Sequence, residues 1–265
     1  MTITYVSILS CLLLALIPGW IFWHFVPRQL RRLGVAALRM IVQTAVLGGL
    51  LWLLWRYPSP WLNLIAAVVL VMVATLTTLR QGRLHAPMLL MPVAAGTAAG
   101  VVLTAAVILF GVVRPAAPLS AQWLVPVVAV LTAHVATVNG TALNTYFNAL
   151  RTDRLTYLTL LGNGASRRQA LTPYVARALR GTCATTAVNL SVMCILAIPM
   201  LLSGMLLGGL GPAEAALLLV ALTLGGVAAQ TIALLVTIWV ADRRVFDRSG
   251  TLLEVMAADK PSSSN

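Results

Sequence analysis

The chain has 265 residues, 60% of them hydrophobic and only 9% charged, with a formal net charge of +12. A soluble domain carries about 25% charged residues, so this composition cannot clothe a globular surface in water-facing groups, and it excludes an ordinary soluble enzyme or binding module. The positive balance would suggest nucleic acid or an anionic surface on a soluble chain; here it has to be read by position along the chain.

A transmembrane helix needs about 20 apolar residues, and seven such runs are predicted. The first covers about 3–26. Met1 to Ser10 contains no Lys or Arg, so it lacks the basic start of a cleavable signal and reads as a spanning helix whose N-terminus lies outside. Arg28, Arg31, Arg32 and Arg39 follow it. The second and third runs cover 34–56 and 60–80, with Arg80 and Arg83 after the third. The fourth covers 88–111 and the fifth 122–148. A basic stretch at about 149–182 holds Arg151, Arg154, Arg167, Arg168, Arg177 and Arg180. The sixth run covers 183–207 and the seventh 213–241, followed by a short tail, 242–265, with Arg243, Arg244, Arg248 and Lys260. The other connections hold only Arg56 and Arg114. Sixteen of the eighteen basic residues therefore fall on one side of a seven-span chain, and the positive-inside rule puts the N-terminus out and the C-terminus in. The expectation is an all-α, multi-pass protein of the inner (plasma) membrane, with one membrane domain at 1–241, a cytoplasmic tail, no soluble domain and no nucleic-acid partner.

The stretch 149–182 is more than a loop. Gly162-Asn163-Gly164 is a helix breaker and turn, Ser166 can cap the helix that follows, and Arg177 and Arg180 lie three apart. The spacing predicts a short helix, a glycine turn and an amphipathic helix feeding the sixth run. Basic side chains alone would suit anionic lipid headgroups. The glycine turn and the small-residue patch Gly164-Ala165-Ser166 do not follow from that reading, and a projecting element that seats in a partner's groove is the alternative.

Absences narrow the chemistry. No GxxxxGK[ST] occurs and the only lysine is Lys260 in the tail, so ATP and Mg have no phosphate-binding loop here. No HExxH and no GxSxG occur, and the six acidic residues all lie outside span centres, which argues against an enzyme working at membrane depth. Cys11, Cys183 and Cys194 show no metal-ligand spacing. Uncharged polar residues are the richer signal. The fifth run carries His134, Thr137, Thr141, Asn144 and Asn148; the last four share one helix face by spacing. Gln43, Asn189 and Gln230 each add a polar group to another run. Such groups either bond across helices or line a translocation path, and they fix no metal. Pro199, Ser203, Gly204, Gly208 and Gly209 either serve close packing or mark a broken helix acting as a hinge.

Several segments taken together resemble a known family. GASRRQA at Gly164 to Ala170, the basic helix Tyr174 to Arg180, Ile198-Pro199-Met200-Leu201-Leu202-Ser203-Gly204, then Gly211-Pro212-Ala213-Glu214-Ala215, and Asp242-Arg243-Arg244-Val245-Phe246 occur in this order. Arg39 and Gln43 stand nearer the start. This order is similar to that of the bacterial iron-export permeases of the FetB type, related to a plant aluminium-tolerance permease. The chain departs from that pattern at Met200, at Ala133-His134, and at Val188 and Ser191. The resemblance implies a permease subunit that pairs with a second copy of itself, with ATP and Mg held by a separate cytoplasmic ABC ATPase and no cofactor on this chain. It implies a coupling element over Asp153, Arg154, Gly162, Gly164, Ala165, Ser166, Arg167 and Arg168, and a metal-ion cargo. A secondary transporter or channel without an ATPase is the alternative.

Overall fold

The computed structural model describes Trp20, His24 and residues 27–57, 59–84, 86–115, 117–195 and 197–245. The expected first span falls largely outside the described residues, as do Phe246 and the tail beyond it. The chain divides into two compact units, Met1–Tyr57 and Pro58–Asn265.

In the first unit, α1 (Pro27–Arg56) opens on a proline, whose missing N–H costs nothing in a first turn. Leu33–Arg56 is long and apolar enough to cross a membrane. From Leu33 on its side chains, Gln43 included, are nearly all exposed, and a helix apolar all round is the pattern of a span in lipid.

The second unit contains α2 (Pro60–Gln81), α3 (Ala86–Ala106, running on as a π-helical segment Val107–Val113), α4 (Ala121–Thr152), α5 (Arg154–Gly162), α6 (Arg167–Ile195), α7 (Ala197–Leu207) and α8 (Pro212–Val245). No strand occurs among the described residues. Five helices across the two units are long and apolar enough to span, and the bent pair α6–α7 makes a sixth if it crosses as one. The chain is an all-α, polytopic membrane protein. The expected sixth span differs in shape: it is not one rod over 183–207 but two helices that meet at 53°. Pro199 supplies a reason. Without an N–H it cannot bond the carbonyl one turn back, so the ladder is already broken where α7 begins. By contrast Pro173, near the start of α6, leaves that helix continuous.

Small residues set the packing. Little hydrophobic force separates helix from lipid, so helices associate through close contact and polar bonds. Gly96 lies against Ala233 and Thr237, Gly100 against Ala229 and Ala233, and Gly225 against Thr104 and Ile108. The numbers rise on one helix as they fall on the other, so α3 and α8 form an antiparallel seam. Gly82, just past α2, and Gly140 on α4 cross backbone to backbone; a Cβ added at Gly82 would lie 2.6 Å from the Gly140 carbonyl. At the far end Asn63 donates to the Leu119 carbonyl at 2.9 Å, so α2 and α4 run parallel. The buried side chains form two clusters. One holds Leu89, Leu143, Tyr146, Tyr157, Tyr174 and Leu234; the other holds Val101, Ile108, Leu131, Val135 and Leu222. Both draw on α3, α4 and α8. Only the first half of α6 joins either cluster.

These contacts bring Arg80 and Arg83, Arg151 and Arg154, Arg167 and Arg168, and Arg243 to one end of the second unit. Asn144 of α4 donates to the Gly82 carbonyl at 2.6 Å, Tyr146 of α4 donates to Asp242 Oδ1 at 3.0 Å, and the Arg167 guanidinium donates to the Asp242 carbonyl. Arg114 lies beyond the opposite end of α3, past its π-helical close.

Candidate functional site

Between α4, α6, α7 and α8 the bundle opens into a cavity of about 450 Å³. Two causes combine. The second half of α6 leaves the core: residues 183–185, 187–189 and 191–192 are exposed. The bend into α7 then folds Ile198 and Leu201 back over the gap as part of its wall. The wall is mostly aliphatic, and its polar groups are His134, Thr137, Thr186, Asn189, Thr223 and Gln230: one imidazole, three hydroxyls and two amides.

Hydrogen bonds settle what those groups can still offer. Thr137 donates to the His134 carbonyl at 2.9 Å, and Thr223 donates to carbonyls one turn back on its own helix, so both hydroxyl protons are spent. Gln230, 1% exposed, donates its amide to the Thr186 hydroxyl at 2.6 Å and ties α8 to α6. His134 Nδ1 lies 3.1 Å from the Val130 carbonyl. A carbonyl only accepts, so in the neutral ring Nδ1 carries the proton and Nε2 is the acceptor. That Nε2 is enclosed and has no hydrogen-bond partner. The ring lies flat on Gly226, where a Cβ would approach it to 2.5 Å.

The polar face expected of α4 is divided by this geometry. His134 and Thr137 line the cavity, together with Asn189 from α6. Asn144 and Asn148 do not: Asn144 bonds the Gly82 carbonyl, and Asn148 donates to Asn144 Oδ1 at 2.5 Å. Thr141, between them, donates to the Val138 carbonyl. Gln43 belongs to α1 in the other unit. Thr186 and Thr223 escaped sequence reasoning, because a threonine that bonds its own helix looks like any other in a membrane run; only the packing of α6 on α8 distinguishes Thr186.

At the arginine-rich end, Asp153 separates α4 from α5. It pairs with Arg177 at 3.4 Å, an exposed pair of small worth, and its carbonyl accepts from Tyr174 at 3.2 Å. Arg154 starts α5, which ends at Gly162. Gly164 then takes φ +85°, a left-handed conformation that suits glycine. Its N–H bonds the Leu161 carbonyl while that of Ala165 bonds Leu160, the pattern of a Schellman stop. Ser166 and Gln169 exchange hydrogen bonds, with the Ser166 N–H on Gln169 Oε1 at 2.9 Å and the Gln169 N–H on Ser166 Oγ at 3.4 Å, a capping box that starts α6. Arg167 turns inward to Asp242, whereas Arg168 is exposed. Tyr157 of α5 packs edge-to-face on Tyr174, ring centres 6.5 Å apart, and burial pushes its hydroxyl pKa up. The turn is thus a defined corner held on a buried base.

Pro199, Ser203, Gly204, Gly208 and Gly209 all belong to α7 and its close. Ser203 donates to the Pro199 carbonyl at 2.7 Å. Gly209, at φ +93°, ends the helix. Around Gly204 there is open space.

An all-α multi-pass membrane protein with a polar-tipped cavity inside its bundle is the class that fold and site define. The chain belongs to UPF0014, described as an uncharacterised protein family, whose pattern matches residues 5–246. It is similar to the UPF0014 membrane protein STAR2 of Oryza sativa subsp. japonica, with 26% identity over 184 residues, 68% of this chain. The match spans 62% of that relative's length. No solved structure matches the chain.

Proposed function

We propose that this chain is the permease subunit of an ABC-type exporter of the inner (plasma) membrane. Two copies form the pathway, a separate cytoplasmic ATPase binds ATP and Mg and drives it, and the cargo is a metal ion, iron-like, or another small solute. The N-terminus faces out and the arginine-rich end faces the cytoplasm, as the positive-inside rule requires. On this reading the chain carries no catalytic group. The observation that carries the proposal is the corner between α5 and α6: a short helix, a left-handed glycine and a capped helix start, exposed at the arginine-rich end. A projecting helical corner suits a groove on a partner, and Arg167 joins it directly to the end of α8. The order of motifs shared with iron-export permeases, and membership of a family that includes a plant membrane protein, support the same reading. A secondary transporter or channel without an ATPase is the second reading, favoured by His134 and its unpartnered Nε2.

Co-purification in mild detergent tests the proposal. The chain is expected to bring down a P-loop ATPase in stoichiometric amount. Replacing both Gly164 and Ala165 with Glu is expected to remove the ATPase while membrane insertion persists. Undiminished co-purification of that variant overturns the coupling role; an intact, monodisperse chain that brings down no ATPase favours the secondary transporter.

A further inference from the structure

We infer that the cavity between α4, α6, α7 and α8 takes a neutral organic molecule, an apolar body bearing a hydroxyl or amide N–H donor, in preference to a bare metal cation. The inference rests on reading this cavity as the cargo's place in the membrane, and it narrows that cargo.

Size comes first. About 450 Å³ is room for about fifteen waters at their liquid volume, far more than one dehydrated ion needs. It falls within the range of small-molecule sites, which are mostly apolar with a few placed polar groups. The wall fits that description: Val130, Leu190, Met193, Leu201, Leu222 and Val227 supply aliphatic surface from all four helices.

Donor chemistry comes second. A hard cation entering this space would have to exchange its water shell for protein oxygens, about six of them or more; a transition metal would need several imidazole, thiolate or carboxylate ligands. The described lining holds no carboxylate and a single imidazole, and the described residues contain no group of three or more His, Cys, Asp or Glu able to hold a metal. An uncompensated charge in such a site is costly. A strongly anionic molecule meets the same objection, since no Arg or Lys lines the cavity.

The third point is what stays unsatisfied. With Thr137 and Thr223 turned to their own backbones and Thr186 accepting from Gln230, two polar groups of the wall are left with no hydrogen bond at all: the Asn189 amide, exposed on α6, and the enclosed His134 Nε2. In the neutral ring the proton on Nδ1 makes Nε2 an acceptor, and a buried acceptor without a partner is destabilising. A ligand O–H or N–H is the complement that relieves it. Glycine at 226 lets the ring lie where it does.

Photolabelling of the purified full chain with a diazirine analogue of octanol, mapped by mass spectrometry, tests this. Labelling is expected to concentrate on peptides holding Leu190, Met193 and Leu222, and to be lost when unlabelled octanol is added. It is also expected to be lost in Leu222→Trp and, independently, in Leu190→Trp, each of which fills the space. His134→Phe, which keeps the aromatic bulk without the acceptor, should require more octanol for the same competition. If the Trp variants do not fold, competition on the unaltered chain decides. Labelling that simply follows lipid exposure and resists competition overturns the inference. So does stoichiometric binding of Mn²⁺, read by its paramagnetic spectrum and lost in Asn189→Ala. The permease alone is measured here, so an ATPase that co-purifies while labelling fails sinks this inference only. Saturable labelling without an ATPase upholds the site and sinks the ABC reading.

Discussion

The two neighbouring glycines of α8 face opposite worlds. Gly225 faces α3, where a Cβ would come within 2.7 Å of Ile108 in a closed seam. Gly226 faces α4 and the His134 ring at the edge of the cavity. On the seam side, Gly96 and Gly100 bring backbone against backbone, and the residues they meet, Ala229 and Ala233, are fully buried. On the other side α6 and α7 carry exposed Val188, Val192, Ile195 and Met200 and no glycine contact holds them to the bundle. One helix therefore serves both as the wall of a close-packed glycine seam and as one bank of a space whose other bank is joined to it by the Gln230–Thr186 hydrogen bond in place of such a seam. On the permease reading proposed above, this asymmetry would supply a core that keeps its shape and a second element free to take another position.

Breaking the fixed side should have the largest effect. Gly96→Leu places a side chain where the Ala233 carbonyl and the Thr237 backbone already are, and backbone cannot step aside as a rotamer can. Overpacking of this kind costs about 1–3 kcal/mol and occasionally more; here the upper end is expected, read as loss of monodisperse protein in detergent and a collapse of the melting temperature. Gly100→Leu should behave alike. Normal yield and melting for both would mean that the seam is not what holds the core.

The boundary between the two sides gives a smaller and different effect. In Gly226→Ala the new methyl meets a ring, not backbone. Because the imidazole Cγ is itself within 2.5 Å, the whole His134 side chain must swing about its Cα–Cβ bond, at a cost of about 1 kcal/mol for leaving its rotamer, so folding is expected to survive with a modest drop in melting temperature. The cavity should not survive unchanged, because turning the ring breaks the Nδ1 bond to Val130 and moves Nε2. Transport is expected to fall by more than stability does. Equal losses in transport and in folded protein would make His134 a packing residue.

Much of this architecture is legible in the chain and the remainder is not, for identifiable reasons. The runs at 34–56, 60–80, 88–111, 122–148 and 213–241 recur as helices because unbroken apolar stretches in lipid have few alternatives to the helix. The corner at Gly162 to Ser166 is equally plain, since left-handed turns and caps are chosen by local chemistry. The sixth span is harder: hydropathy sees 183–207 as continuous and is blind to the angle between α6 and α7. The face of Thr137, Thr141, Asn144 and Asn148 shows the limit more sharply. Helical spacing aligns the four correctly, yet what each meets depends on where Gly82 and α6 arrive along α4. Asn144 becomes a clasp on a turn, while Thr137, four positions before Thr141, looks into the cavity. The seam had a visible signal in the four-residue spacing of Gly96 with Gly100 and of Gly225, Ala229 and Ala233, but spacing alone does not say which stripe meets which.

The smallest change sharpens the loose side. Gly204 lies in mid-α7 with nothing within reach of an added Cβ, so Gly204→Ala creates no clash. A helical glycine replaced by alanine gains about 0.5–1 kcal/mol by narrowing the unfolded ensemble and stiffening the turn. Stability should therefore hold or rise slightly. If α7 moves as a rigid piece about the bend beside Pro199, the carbonyl of that proline stays bonded to Ser203 and turnover is unaffected by alanine. If α7 itself flexes at Gly204, the same substitution lowers turnover while the melting temperature rises. The 53° bend already supplies a break in the hydrogen-bond ladder, and a second hinge two turns away would be redundant. Unchanged turnover with a slightly raised melting temperature is the expected result, placing the motion at the α6–α7 bend.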